Sequence, residues 1–125
     1  MSPASEVSPA APALSDPHYR ALSTELLGGI ERQVDRWLQD DVVDIDSART
    51  GGLLELSFPN GSKIVVNTQP PLQEIWLAAR RGGFHYRHVG GRWCDTKSGA
   101  EFFASLSECA SEQAGKKLEF AAAAT

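Results

Sequence analysis

Apolar positions recur at spacings of three and four from Tyr19 onward: Tyr19, Leu22, Leu26, Ile30, Val34 and Trp37. This spacing draws one stripe along a 3.6-residue period and predicts an amphipathic helix. Asp16-Pro17 opens that helix, with Asp16 as N-cap and Pro17 at the first helical position, and the stripe ends at about Leu38. Gly28-Gly29 weakens the middle by about 1 kcal/mol per glycine relative to alanine, but both fall off the stripe centre. Further along, the period changes to two. Val42 to Ser47 reads as a short acidic strand. Leu54, Leu56 and Phe58 alternate with Glu55 and Ser57, the pattern of a half-buried strand. Asn60-Gly61 signals a hairpin, and Lys63 to Gln69 returns from it with Ile64 and Val66 on one face. Leu72 to Ala79, Phe84 to Val89 and Arg92 to Thr96 are further strands, separated by Gly82-Gly83 and Gly90-Gly91. Ser98-x-x-Glu101 has the form of a capping box. It precedes a second helical stripe of Phe102, Phe103, Leu106, Cys109 and Ala110, with Gly115 as the stop.

Short strands joined by tight turns predict an antiparallel meander. The order helix, strands, helix makes the chain an α+β protein. Two helices suffice for one face of such a sheet, so the other face meets solvent or a partner. That makes one residue informative. Ile75 and Leu77 take the core phase, which turns Trp76 outward. Asn67 and Gln69 share that outward phase on a strand that can lie beside it. A tryptophan flanked by amides has the composition of a binding hot spot.

Composition changes the picture only through charge. The 125 residues carry a formal net charge of −4. The window from Glu31 to Asp46 holds six acids (Glu31, Asp35, Asp40, Asp41, Asp44, Asp46) and two bases (Arg32, Arg36), so it nets −4 by itself. Ile75 to Cys94 holds no acid but has Arg80, Arg81, Arg87 and Arg92. Such asymmetry concerns ions and partners rather than fold. The acidic balance argues against general nucleic-acid coating, and no apolar run approaches the roughly 20 residues of a membrane helix. Residues 1–14, rich in Pro, Ala and Ser, are expected to be a disordered tail, 15–120 a single domain and 121–125 a frayed end. The start lacks the basic region and apolar core of a secretory leader, and the arginines of a mitochondrial presequence. Two cysteines make no disulfide framework. The expected address is the cytoplasm of a bacterium.

The segment from Phe58 to Tyr86, FPNGSKIVVNTQPPLQEIWLAARRGGFHY, carries Asn60-Gly61-Ser62-Lys63, Asn67-x-Gln69-x-Pro71-Leu72, Trp76-Leu77-Ala78 and Gly82-Gly83-Phe84-His85. Trp93 and Ser98-Gly99 follow, and Ile30-Glu31, Asp35 and Trp37 precede. This run closely resembles the bacterial members of the frataxin family over about residues 16–120. The resemblance implies a two-layer sandwich, an antiparallel sheet of five to seven strands with the N- and C-terminal helices packed on one face. It implies weak iron binding along an acidic ridge on the first helix and first strand. It also implies binding to the cysteine desulfurase and the scaffold protein of iron–sulfur cluster assembly, as iron donor or iron-dependent regulator.

The residues support that chemistry. Iron in either oxidation state accepts hard oxygen ligands. Glu31 and Asp35 lie one helical turn apart, Asp44 and Asp46 share a strand face, and Asp40 and Asp41 sit between. Crowded carboxylates repel one another, and a bound cation relieves the repulsion. The candidate metal residues are therefore Glu31, Asp35, Asp40, Asp41, Asp44 and Asp46, as exchangeable sites without a closed cage. Asn67, Gln69 and Trp76 are the candidate partner contacts. The sequence departs from the family in having Arg32 and Arg36 where acids are common and two extra residues between Trp37 and the acidic strand. The helical half of the ridge is therefore expected to be partly neutralised, with iron binding weaker or shifted toward Asp40, Asp41, Asp44 and Asp46. An enzyme is not expected. The alternatives are ferroxidase-type detoxification, which dispersed carboxylates favour less, and a protein-binding adaptor that holds no iron. His85 and His88 fall on opposite strand faces and do not suit a shared zinc ion with Cys94.

Overall fold

The computed structural model describes residues 13–122, so most of the expected tail and the last three residues lie outside the described residues. The first helix, α1, spans Asp16–Gln39. Six strands follow: β1 Asp46–Thr50, β2 Leu53–Ser57, β3 Lys63–Gln69, β4 Glu74–Ala79, β5 Gly82–Val89 and β6 Arg92–Asp95. The second helix, α2, spans Phe102–Ala114. The strands form one sheet in sequence order, every neighbour antiparallel. The expected meander and two-layer α+β sandwich are thus what the chain adopts.

Period two fixes which side chains enter the core. Leu54, Leu56, Ile64, Val66, Ile75, Leu77, Tyr86 and Trp93 point to the helices. They meet Tyr19, Leu26, Leu27, Ile30, Val34 and Trp37 of α1 and Phe102, Phe103, Leu106 and Cys109 of α2 in one apolar cluster. Each such side chain contributes about 1.5–3 kcal/mol by leaving water. The Tyr19 hydroxyl ties α1 to the sheet, donating to the Glu74 carbonyl at 2.7 Å and accepting from the Gln69 N–H at 3.1 Å.

Several element boundaries differ from expectation, β5 for instance starting at Gly82 rather than Phe84, and four of the differences have a clear local reason. Ser15, not Asp16, caps α1: its backbone is extended and its Oγ accepts from the His18 N–H at 3.2 Å. Asp16 then sits in the first turn, where its charge complements the helix dipole. The first strand begins at Asp46 rather than Val42, because the close of α1 consumes Asp41 and Val42, and pairing starts at Asp46 opposite Ser57. The fourth strand begins at Glu74 rather than Leu72, because Pro70–Leu72 is a 3-10 turn that ends in a left-handed Gln73. At α2 the Glu101 carboxylate caps its own helix, accepting from Phe103 and Ala104 N–H groups at 2.8 and 3.0 Å. Ser98 instead bonds the Ala100 N–H.

Three features hold the ends together. The Gln73 side chain pairs with both backbone groups of Leu14, anchoring the start of the described chain. Gln113, buried on α2, uses its amide to bond Ser62 and Lys63 of the β2–β3 hairpin and the Arg80 N–H of the β4–β5 turn. After the left-handed stop at Gly115, residues 116–120 run back beside α2 as a strap. Leu118 and Phe120 point inward, and Phe120 meets Trp37 edge-on at 4.8 Å. The backbone of Leu118 bonds the Ser111 hydroxyl, and that of Phe120 bonds the Ser107 hydroxyl.

Phe120→Ala is expected to lower unfolding free energy by about 3–5 kcal/mol, because the lost ring leaves a cavity against Trp37. Tyr86 is the contrasting case. Its hydroxyl is buried and lies near the Ser105 side chain without a full hydrogen bond among the described residues, and burial pushes the phenol up to about 12. Tyr86→Phe should therefore change stability by less than about 1 kcal/mol, or raise it. Urea unfolding of the two variants checks both, and a large loss in Tyr86→Phe would show that the hydroxyl is satisfied in solution.

Candidate functional site

The acidic residues follow the close of α1. Glu31 is half-buried, and the Arg49 guanidinium of β1 reaches it at 2.6 Å. Asp35 lies one turn further on and is exposed. The helix then ends in a paired closure: the Val42 N–H bonds the Trp37 carbonyl at 2.8 Å and the Asp41 N–H bonds that of Leu38 at 3.2 Å. This is a Schellman turn, whose left-handed position normally holds glycine. Here Asp41 holds it, at φ +57°. Ile45 plugs the core between exposed Asp44 and exposed Asp46. Asp35, Asp40, Asp41, Asp44 and Asp46 thus lie exposed along one edge, and none has an ion-pair partner among the described residues. No three of the described His, Cys, Asp or Glu side chains converge on a common point. The edge is a row of separate hard-oxygen donors.

One of the two arginines the sequence suggested is directed elsewhere, and two other cations come to this edge. Arg32 turns back over Gly28-Gly29 toward Glu25 at 3.4 Å, away from Glu31 and Asp35. Arg49 takes Glu31 instead. Lys116 bonds the Val42 carbonyl at 2.6 Å and so brings an ammonium beside the acidic loop. Neither residue stands out in the sequence. The inward phase of Arg49 depends on the true start of β1, and Lys116 is 74 residues from Val42.

The other candidate lies on the uncovered sheet face. Register places Leu53, Asn67, Trp76 and His85 in one line across β2 to β5, and Gln69 opposite Glu74. Trp76 is outward, as its phase predicts, but half-buried rather than free. Its indole stacks on the His85 ring at 4.2 Å and 6°, and its Nε1–H donates to Glu74 Oε1 at 2.9 Å. Glu74 also accepts from Arg87 at 2.8 Å and is only 6% exposed. Asn67, Gln69 and Trp76 therefore share one surface, to which Glu74, His85 and Arg87 also belong. Glu74 was legible two residues before Trp76 in the same phase. His85 and Arg87 needed the β4–β5 register.

His88 faces the opposite way from His85 and packs against Trp93 at 5.0 Å. Burial, aided by His18, holds its pKa below the usual value. Burial raises the Cys109 thiol. A cleft of about 900 Å³ lies between the first turns of α1 and the Pro70–Leu72 turn; Arg49 and Arg87 border it, but none of Glu31, Asp35, Asp40, Asp41, Asp44, Asp46, Asn67, Gln69 and Trp76 does.

The sequence profile described as a frataxin-like domain matches residues 12–116. The chain belongs to the frataxin family. It is 53% identical over 110 residues to the iron-sulfur cluster assembly protein CyaY of Variovorax paradoxus, covering 88% of this chain and 100% of the relative. It is 50% identical over 109 residues to CyaY of Burkholderia mallei, covering 87% and 100%. Among solved structures, frataxin from Psychromonas ingrahamii superposes with a TM-score of 0.76 at 32% identity, covering 86% of this chain and 99% of that one. A trimeric yeast frataxin complexed with ferrous iron shares the fold at a TM-score of 0.61 and 23% identity, with 87% and 94% covered. In this frataxin, α1 closes through an aspartate that lies within the acidic row itself.

Asp41→Gly should stabilise the protein by about 0.5–1 kcal/mol, because glycine adopts the left-handed conformation without a Cβ clash. Thermal unfolding in metal-free buffer measures the change. A loss of stability would show that the Asp41 carboxylate makes a bond worth more than the backbone relief.

Proposed function

We propose that the chain serves iron–sulfur cluster assembly as a weak iron binder, delivering iron to the desulfurase–scaffold complex or letting iron regulate it. The observation that carries this reading is identity of 53% across the whole length of a relative named for iron-sulfur cluster assembly. The edge chemistry supports it. Five exposed carboxylates without ion-pair partners suit a hard cation. Their separation favours ions that keep much of their water and exchange readily, which fits a cargo more than a fixed cofactor. The yeast relative in complex with ferrous iron supports the same metal. In this reading the chain is a binder rather than an enzyme and works in the bacterial cytoplasm. The acidic edge meets iron and a basic partner surface, while the face of Asn67, Gln69 and Trp76 meets a protein of the assembly complex.

Anaerobic titration with ferrous iron, followed by amide resonances, tests the metal half. Signal loss is expected over residues 35–46, weaker at Glu31 because Arg49 occupies it. Loss centred instead on His85, His88 or Cys94 would overturn the assignment. Replacing Asp41, Asp44 and Asp46 together by Asn should abolish most of that loss. It should also raise the metal-free melting temperature by a few degrees, since like charges are removed. An unchanged or lower melting temperature would count against a strained acidic edge.

A further inference from the structure

Glu74 is an unusual residue for its place. It lies on the sheet face that neither α1 nor α2 covers, yet it is 6% exposed and carries a carboxylate. A buried charge is costly unless it is paired and hydrogen-bonded. Its two oxygens are both used: Oε2 accepts from Arg87 at 2.8 Å, and Oε1 accepts from the Trp76 indole N–H at 2.9 Å. His85 Nδ1 stands 3.8 Å from Oε1, while the His85 ring stacks flat on the indole. A partly buried indole without such contacts could turn about its side-chain torsions. Here a hydrogen bond fixes its edge and a parallel ring covers one face.

We propose that Glu74, held by Arg87, is a positioning residue that presents Trp76 in a single orientation to a protein partner. Two consequences follow from the geometry. The partner meets an indole whose side-chain freedom is already restricted, so less entropy is lost on docking. Its N–H is already taken by Glu74, so the partner engages the ring by packing rather than by accepting a hydrogen bond. The partner group that fits is an apolar or aromatic side chain laid on the free part of the indole. The inference rests on the reading that the Trp76 face binds the assembly complex.

The test combines the indole Nε1–H resonance of Trp76 with the affinity of the full chain for its desulfurase–scaffold complex. Glu74→Ala should shift that resonance and weaken binding by about tenfold, the scale of one lost charge-assisted bond. Glu74→Gln keeps one oxygen acceptor for the indole but turns an amide NH2 toward Arg87, so its indole shift should lie between those of Glu74→Ala and the parent, and it should weaken binding by about threefold, less than Glu74→Ala does. Amide spectra of each variant establish that it is folded. If Trp76→Ala weakens binding but Glu74→Ala does not, the positioning role is wrong and the binding face stands. If Glu74→Ala weakens binding with the indole resonance unmoved, Glu74 acts on the partner directly and the proposal is overturned. If Trp76→Ala itself binds like the parent, the binding face fails and the positioning role with it.

Discussion

Six strands lie against two helices on one side only, and most other features answer that imbalance. The middle of the inner face, on β2 to β5, is apolar, with Arg49 and His88 at its margins, so one core forms between sheet and helices. Neither helix covers the outer face. Its middle must be shielded by what lies on it, and it is: a histidine stacks on a tryptophan, and an arginine closes over a glutamate. These contacts are small in number, but they keep a carboxylate out of water on a nominally exposed surface. The same one-sidedness leaves room beside α2 for the strap, whose Leu118 and Phe120 complete the helical layer where a third helix is missing.

The acidic edge obeys a different logic. It spans the end of one helix, a linker and the start of one strand, and its backbone is fixed by Ile45 in the core and by the paired closure of α1. Its carboxylates are spread over these three kinds of backbone, which is why no three of them converge. A rigid frame with dispersed donors gives a diffuse negative field, suited to attracting a hydrated cation or a basic protein surface. Lys116 and Arg49 moderate that field from two other elements.

Much of the fold was legible. The Tyr19 to Trp37 stripe and the alternation of Leu54, Leu56, Ile64, Val66, Ile75 and Leu77 each carry enough periodicity to name an element and its buried face. The boundaries that moved are those where a side chain or turn overrides periodicity. Ser15 wins the cap because its backbone is extended there. Pro70–Leu72 curls into a turn before β4 can begin. Glu101 reaches its own helix N–H groups and leaves Ser98 to a local turn. The candidate residues were readable as types and phases, whereas their ion pairs were not. Glu31 with Arg49, Glu25 with Arg32 and Glu74 with Arg87 join positions whose nearness depends on register, helix rotation or side-chain direction.

Asp41 gives the acidic edge an evolutionary property. A residue with left-handed backbone in a tight helix closure is drawn mainly from glycine, asparagine and aspartate. Of these three, only aspartate is charged at neutral pH. The charge at this point of the edge is therefore close to a two-valued trait, on with Asp and off with Gly or Asn, and each state is one codon change away. Drift at Asp44, in an exposed linker, passes through many side chains. Drift at Asp41 toggles the local field in one step while the turn that carries it stays the same.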